Sequence, residues 1–184
     1  MGNRLALVAF ALFALFCLGC ASGAERPATY AEACALPGEV AIEGEASPAG
    51  GDVWVSSALT AAQRARVEAG LEAWTAATSG AVRWRVMTAE GGAIRYGAIN
   101  VFACPAGSAR LVAPDGREAG GATSGDAVAL SLAWLEAPTL EALVAHEAGH
   151  ALGLDDSNAG GEVMNPYLPV RLPGAGDVAA LSGQ

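Results

Sequence analysis

The chain has 184 residues, 53% of them hydrophobic, with a formal net charge of −9 and two histidines. This length is enough for one globular core behind a leader segment, and it predicts a single small domain. The net charge is negative, and no part of the sequence resembles a basic groove, which argues against nucleic acid as a partner. The charge by itself identifies no substrate.

Residues 1–19 have the pattern of an export signal. The apolar stretch from Leu5 to Leu18 is too short for an ordinary transmembrane helix and is followed by small residues. Its end, Cys17-Leu18-Gly19-Cys20, resembles a bacterial lipoprotein signal, which implies that Cys20 is lipidated and becomes the mature terminus. We therefore expect an exported lipoprotein of the bacterial cell envelope, attached to the membrane through Cys20. Simple secretion after cleavage at Ala24 is the alternative.

Residues 20–50 are interpreted as a tether or a short pro-segment, because alanine, glycine, proline and glutamate predominate there. If Cys17 leaves with the signal and Cys20 carries lipid, Cys34 and Cys104 remain as an even pair in an oxidising compartment. The simplest expectation is one disulfide between Cys34 and Cys104, joining this segment to the domain.

Strand and helix patterns follow in the next part of the chain. Val53-Trp54-Val55 predicts a short strand. Thr60-Ala61-Ala62-Gln63 has the form of a capping box, and apolar residues then recur at helical spacing until Ser79-Gly80. Alternation predicts further strands, which cover residues 81–87, 98–102 and 126–132.

The two histidines lie four residues apart in His146-Glu147-Ala148-Gly149-His150. An apolar stripe over residues 139–152 predicts a helix packed on the core, with Thr139 as its capping residue. Residues four apart share a helix face, so both imidazoles can reach one zinc ion. Glu147 lies one step round the helix, where it can remove a proton from a zinc-bound water. Each fixed position of His-Glu-x-x-His therefore has a chemical role.

Gly153 falls where this helix would end, and a turn there can bring Asp156 back toward the metal. Asp155 is the nearby competitor for this ligand position. Two imidazoles and one carboxylate would leave a fourth position open, as in a catalytic zinc site. The pattern His146-Glu147-x-x-His150-x-x-Gly153-x-x-Asp156 resembles the extended motif of the metzincin metallopeptidases, with Asp156 where the usual third ligand is histidine.

The segment from Gly161 to Tyr167 resembles the Met-turn region of the matrixin branch of that clan. The resemblance implies that Met164 lies beneath the zinc as an apolar floor. It also implies that Pro166 and Tyr167 form a wall of the pocket for the substrate side chain that follows the cleaved bond. Residues 176–181 look like the start of the family's closing helix, and the resembling region covers residues 51–184, which we take as the metallopeptidase domain.

The resemblance implies an α+β fold: a twisted, mainly parallel five-stranded sheet with an antiparallel edge strand, packed against an active-site helix and two further helices. Gly120-Gly121-Ala122-Thr123 has the family position of the edge strand. The implied activity is that of a monomeric zinc metalloendopeptidase acting on a protein or peptide substrate. His146, His150 and Asp156 would hold one zinc ion, and Glu147 would assist the attack of zinc-bound water. Structural calcium is common in the family, but no run of oxygen ligands places one here.

Two other interpretations stay open. A zinc-binding cell-surface module could bind a peptide partner without cleaving it, although such a site has no need of a proton acceptor such as Glu147 beside the metal. A globular protein without metal would require the motif to be accidental. For Cys34, the alternative to the disulfide is an inhibitory zinc ligand, as in some matrixin propeptides, although Ala33-Cys34-Ala35-Leu36-Pro37 carries little of that motif.

Overall fold

The structure is a computed structural model that describes residues 26–38, 49–113, 115–125, 127–158, 162–166 and 172–183. The helices in these ranges are α1 (Tyr30–Ala35), α2 (Ala61–Ala77), α3 (Leu140–Ala151) and α4 (Ala175–Ser182). The strands are β1 (Gly50–Ser56), β2 (Arg83–Ala89), β3 (Ile99–Cys104), β4 (Gly121–Ser124) and β5 (Ala127–Ser131). The export signal and Cys20 lie outside the described residues. Within them, no helix has the length and apolar character needed to span a bilayer.

The strands form one mixed sheet in the order β2-β1-β3-β5-β4. Strand β1 pairs in parallel with β2 and with β3, and β3 pairs in parallel with β5. Strand β4 lies at the edge and runs antiparallel to β5. The predicted α+β class and the mainly parallel sheet with an antiparallel edge strand are therefore confirmed. Parallel neighbours need a crossover connection, and α2 provides it between β1 and β2.

The sheet separates two apolar clusters. Val101 and Val128 belong to the cluster that contains the buried residues of α2 and α3. Phe102 and Ala129, one residue further along the same strands, belong to the cluster that contains α1. Successive strand residues point to opposite faces, which explains the alternation. The two histidines lie on the α2 and α3 side.

Helix α2 begins and ends where the sequence predicts. Thr60 and Gln63 form the capping box, each side chain accepting a hydrogen bond from the other residue's backbone N–H. After the helix, Ser79 and Gly80 adopt left-handed φ values of 53° and 83°. The reversal ends the helix and leads the chain into β2.

Helices α2 and α3 pack closely because α2 has a glycine at their contact. A Cβ on Gly70 would lie 2.6 Å from the backbone oxygen of Glu141. Nearby, the buried indole Nε1 of Trp74 donates a 2.7 Å hydrogen bond to the backbone oxygen of Ala145. These contacts fix α3, and with it both histidines, against the core.

The expected cap of α3 is wrong in one detail. Thr139 precedes the helix, but its side chain makes no capping hydrogen bond. The backbone there has φ −91° and ψ 7°, whereas a capping residue usually has an extended conformation. The cause is a turn in which the N–H of Leu140 donates to the oxygen of Ala137 at 3.1 Å.

Helix α1 has no counterpart in the sequence predictions, because its six residues are too few to display a helical period. It lies in the segment interpreted as a tether or pro-segment, and it packs on the sheet. Tyr30 stacks on Phe102 with ring centroids 4.6 Å apart. Cys34 and Cys104 form a disulfide. The sulfur of Cys34 is therefore not available as an inhibitory zinc ligand.

We predict that replacing both cysteines, Cys34→Ala with Cys104→Ala, lowers the free energy of unfolding by about 2–4 kcal/mol. The disulfide closes a sequence separation of 70 residues, so its loss lets the unfolded chain gain entropy. Urea unfolding followed by tryptophan fluorescence measures the difference. The wild-type protein under reducing conditions should approach the variant, and an unchanged midpoint would contradict a stabilising role.

Candidate metal centre

Helix α3 places His146 and His150 on one face, one turn apart. The two imidazole rings meet edge to face, with centroids 4.8 Å apart. His146 is buried, and the side chain of His150 is 25% exposed. This is the arrangement expected of residues four apart on a helix, and it turns both rings toward one cleft.

The orientation of each ring is set by a backbone carbonyl. The Nδ1 atom of His146 lies 2.8 Å from the oxygen of Val163, and Nδ1 of His150 lies 2.8 Å from the oxygen of Leu154. A carbonyl oxygen only accepts hydrogen bonds, so each Nδ1 carries the proton. A neutral ring with its proton on Nδ1 has a lone pair on Nε2, and this is the form of imidazole that binds a metal ion.

The carboxylate of Asp156 lies close to the Nε2 atoms of both histidines. Its Oδ1 lies 3.6 Å from Nε2 of His146 and 3.4 Å from Nε2 of His150. In a tetrahedral site with zinc distances of about 2.0–2.1 Å, neighbouring ligand atoms are about 3.3–3.4 Å apart. His146, His150 and Asp156 could therefore hold a metal ion. Among the described residues they are the one group of at least three His, Cys, Asp or Glu side chains with this geometry. Asp155 lies at the cleft but is not in the group.

The chain returns to the metal site through a helix C-terminal motif. The N–H of Gly153 donates to the oxygen of His150, and the N–H of Leu154 donates to the oxygen of Gly149, both at 2.9 Å. Gly153 has φ 95°, a value that side chains disfavour. The glycine at this position thus directs the following loop back across α3, as the sequence predicts.

The segment predicted to be a Met-turn packs against α3. Met164 is buried, and its side chain packs against Gly149 of α3 so closely that a Cβ on Gly149 would overlap its Sδ. The backbone oxygen of Met164 accepts a 2.7 Å hydrogen bond from the N–H of Ser157, the residue after Asp156. The loop that carries Asp156 is thereby attached to the segment that contains Met164. Pro166 lines the cleft, and Tyr167 lies outside the described residues.

The sequence predictions did not include Asp177, which holds this segment in place. Asp177 is buried on α4, and its carboxylate accepts backbone hydrogen bonds from Val163 at 3.2 Å, Met164 at 3.4 Å and Gly174 at 2.8 Å. Val163 is also the residue whose oxygen orients His146. The only available signal was an acidic residue in the first turn of a predicted helix, which is usually a simple cap.

Glu147 lines the same cleft as the three ligand candidates, and it is 3% exposed. Burial raises the pKa of Glu147 to about 6, although His150 and a hydrogen bond from Thr123 act to lower it, and Asp156 adds a smaller increase. The Oγ1 atom of Thr123 lies 2.7 Å from Oε2 of Glu147. A hydroxyl can donate to a carboxylate or accept from a carboxylic acid, so this contact suits either form of Glu147.

The cleft has a volume of about 810 Å³ and lies between α3 and the edge strand β4. The apolar side chains of Trp134 and Leu143 form part of its lining, and the charged side chains Arg110 and Asp155 contribute elsewhere. Such a mixed cleft, open to solvent and passing over a cluster of metal-ligand atoms, has room for several residues of an extended peptide.

No protein-family model matches this chain, and no curated protein matches it in sequence. The likeness to the metzincins therefore depends on the motif residues and on the geometry described above.

We predict that the protein binds one zinc ion, and that Asp156→Ala weakens the binding at least roughly tenfold. The variant removes one of three converging ligand atoms. Asp155→Ala is the matched control, because it removes the neighbouring carboxylate and should bind zinc as the wild type does. Competition with a chromophoric chelator measures both affinities. Equal weakening in the two variants would show that only the local negative charge matters.

We also predict that Gly149→Ala destabilises the protein. Glycine to alanine inside a helix usually stabilises it by up to about 1 kcal/mol. Here the added Cβ would displace Met164, and we expect a loss of about 1–3 kcal/mol. Urea unfolding with chelator present measures protein stability apart from metal binding. Gly51→Ala, where a Cβ would meet nothing within 4 Å, is the control, and a more stable Gly149→Ala variant would contradict the packing described.

Proposed function

We propose that this chain is a zinc-dependent endopeptidase of the matrixin-like metzincin type. The observation that carries the proposal is the convergence of His146, His150 and Asp156 beside the buried carboxylate of Glu147 in one open cleft. Two imidazole nitrogens and one carboxylate oxygen, with one side open, are the donor set of catalytic zinc sites. A site that only bound zinc would not need a second, buried acid next to the three ligands.

In the proposed reaction, the zinc ion and the side chains have different roles. A zinc ion bound here would act as a Lewis acid, polarising a substrate carbonyl and making a water molecule easier to deprotonate. His146, His150 and Asp156 would hold the ion. Glu147 would accept a proton from the attacking water on a carboxylate oxygen and deliver it to the departing amine nitrogen as the C–N bond breaks. The products would be a new carboxyl terminus and a new amino terminus.

The substrate would lie along β4. This strand pairs with β5 on one side only, and the described residues place no strand on its other side. An extended peptide can add to such an edge through backbone hydrogen bonds. It would then cross the cleft beside Glu147, with the apolar residues Trp134 and Leu143 available to a substrate side chain. A protein or peptide in extended form is therefore the substrate class that we propose.

We also propose that the protein is exported, most simply as a lipoprotein anchored through Cys20. The support is the sequence of the leader together with the disulfide between Cys34 and Cys104, because structural disulfides persist in oxidising compartments. A metallopeptidase of this kind would act on proteins at or outside the cell surface.

We predict that the purified full-length mature protein cleaves an unstructured protein substrate, and that Glu147→Ala loses activity by a factor of about 10²–10⁴ while still binding zinc. Truncation at Gly50 should be avoided, because it removes α1 and Cys34. Cleavage should stop with chelator and return with added zinc. Glu72→Ala, an exposed carboxylate on α2, is the control and should keep full activity.

The outcomes separate the alternatives. Full activity in Glu147→Ala would overturn the proposed mechanism. Zinc binding without any cleavage would favour the module that binds a peptide without cutting it. Absence of zinc binding would leave a globular protein in which the motif is accidental.

A further inference from the structure

Two residues of the edge strand β4 contact the side chain of Glu147. Gly121 and Thr123 are two positions apart, so they lie on the same face of the strand. That face is turned toward α3, because both residues meet Glu147 there. The residue between them, Ala122, belongs instead to the periphery of the apolar cluster on the opposite side of the sheet.

Thr123 binds Glu147 at two points. Its Oγ1 lies 2.7 Å from the carboxylate Oε2 and 3.0 Å from the backbone oxygen of the same residue. The hydroxyl has one proton, which it donates to the carboxylate or shares with the backbone oxygen, and its place beside both oxygens restricts the torsions of the Glu147 side chain. Among the described residues, no other side chain hydrogen-bonds to this carboxylate.

Gly121 leaves the space that the carboxylate fills. A Cβ at this position would lie 2.7 Å from Oε1 of Glu147 and 2.9 Å from its Cγ and Cδ, closer than real Cβ contacts allow. The backbone of Gly121 does not have a positive φ, so its conformation does not itself require glycine. The absent side chain is therefore explained by the position of Glu147 and not by the turn preceding the strand.

We propose that Thr123 and Gly121 are positioning residues that fix the carboxylate of Glu147 for proton transfer. The inference depends on the proposed function, since it assigns these residues to the same reaction. The strand that would bind the substrate backbone is also the strand that holds the proton acceptor. One rigid element then sets the distance between the substrate and Glu147, without either residue touching the reacting atoms.

The test compares four variants of the full mature protein. Thr123→Val keeps the shape of the side chain but removes the hydroxyl, and Thr123→Ser keeps the hydroxyl. Gly121→Ala adds the Cβ that would meet the carboxylate. Thr75→Val is the matched control, because the hydroxyl of Thr75 is also buried but has no hydrogen-bond partner among the described residues.

Three readouts are needed: kcat and KM for an unstructured substrate, the affinity for zinc, and the position of Glu147 in crystal structures of the variants. We expect Thr123→Val and Gly121→Ala to lower kcat roughly ten- to a hundredfold, because a misplacement of about 1 Å has effects of that size. KM and zinc affinity should stay near the wild-type values. Thr123→Ser should recover most of kcat, and Thr75→Val should match the wild type.

Other results would overturn the proposal. Unchanged kcat in Thr123→Val, with wild-type cleavage intact, would refute the positioning role but leave the peptidase standing. A parallel fall in zinc affinity would mean that Thr123 supports α3 as a whole. If the wild type cleaves nothing, the proposed function fails, and the crystal structures decide the positioning. A carboxylate of Glu147 that keeps its wild-type position in both Thr123→Val and Gly121→Ala would then refute it.

Discussion

The burial of two polar side chains on the mainly apolar helix α3 is the constraint on which the rest of this structure depends. His146 and Glu147 are buried in α3, and buried polar groups are costly unless they form hydrogen bonds. Their partners come from distant parts of the chain, namely the oxygen of Val163 and the hydroxyl of Thr123. The segment at Val163 and the edge strand β4 are thus both tied to α3 through the side chains to which we assign the chemistry.

The groups that contact the site are themselves held by further hydrogen bonds. Val163, which orients His146, is itself held by Asp177 of α4. The loop with Asp156 is attached to the segment that contains Met164 by a hydrogen bond from the N–H of Ser157 to the backbone oxygen of Met164. His146 and the loop that carries Asp156 are therefore tied by hydrogen bonds to the segment at Val163 and Met164, whereas His150 is oriented locally by Leu154. Outer contacts of this kind are what orient ligands in metal sites, and they explain why α4 matters although it contributes no ligand.

The face of the sheet opposite α2 and α3 is covered by helix α1. A domain of this size buries only a modest core, and the sheet would expose apolar residues such as Phe102 if nothing covered it. Helix α1 covers this face, and the disulfide between Cys34 and Cys104 holds it there. The segment that precedes β1 is consequently part of the folded unit, and the site can be built on a sheet that is covered on both sides.

The sequence alone determined the features that depend on local spacing. His146 and His150 share a face because a helix repeats every 3.6 residues, and Gly153 ends that helix because it tolerates a positive φ. The capping box at Thr60 and the alternation in the strands are equally local. The expectation of a mainly parallel sheet with an antiparallel edge came instead from the resemblance to the metzincins, since strand order is not a local property. Tertiary structure decided the rest. No periodicity connects Thr123 to Glu147 of α3, or Asp177 to the backbone of Val163 and Met164, since these partners are 24 and 13 to 14 residues apart. Helix α1 also escaped detection, because six residues gain their stability from packing and a disulfide, not from an amphipathic pattern.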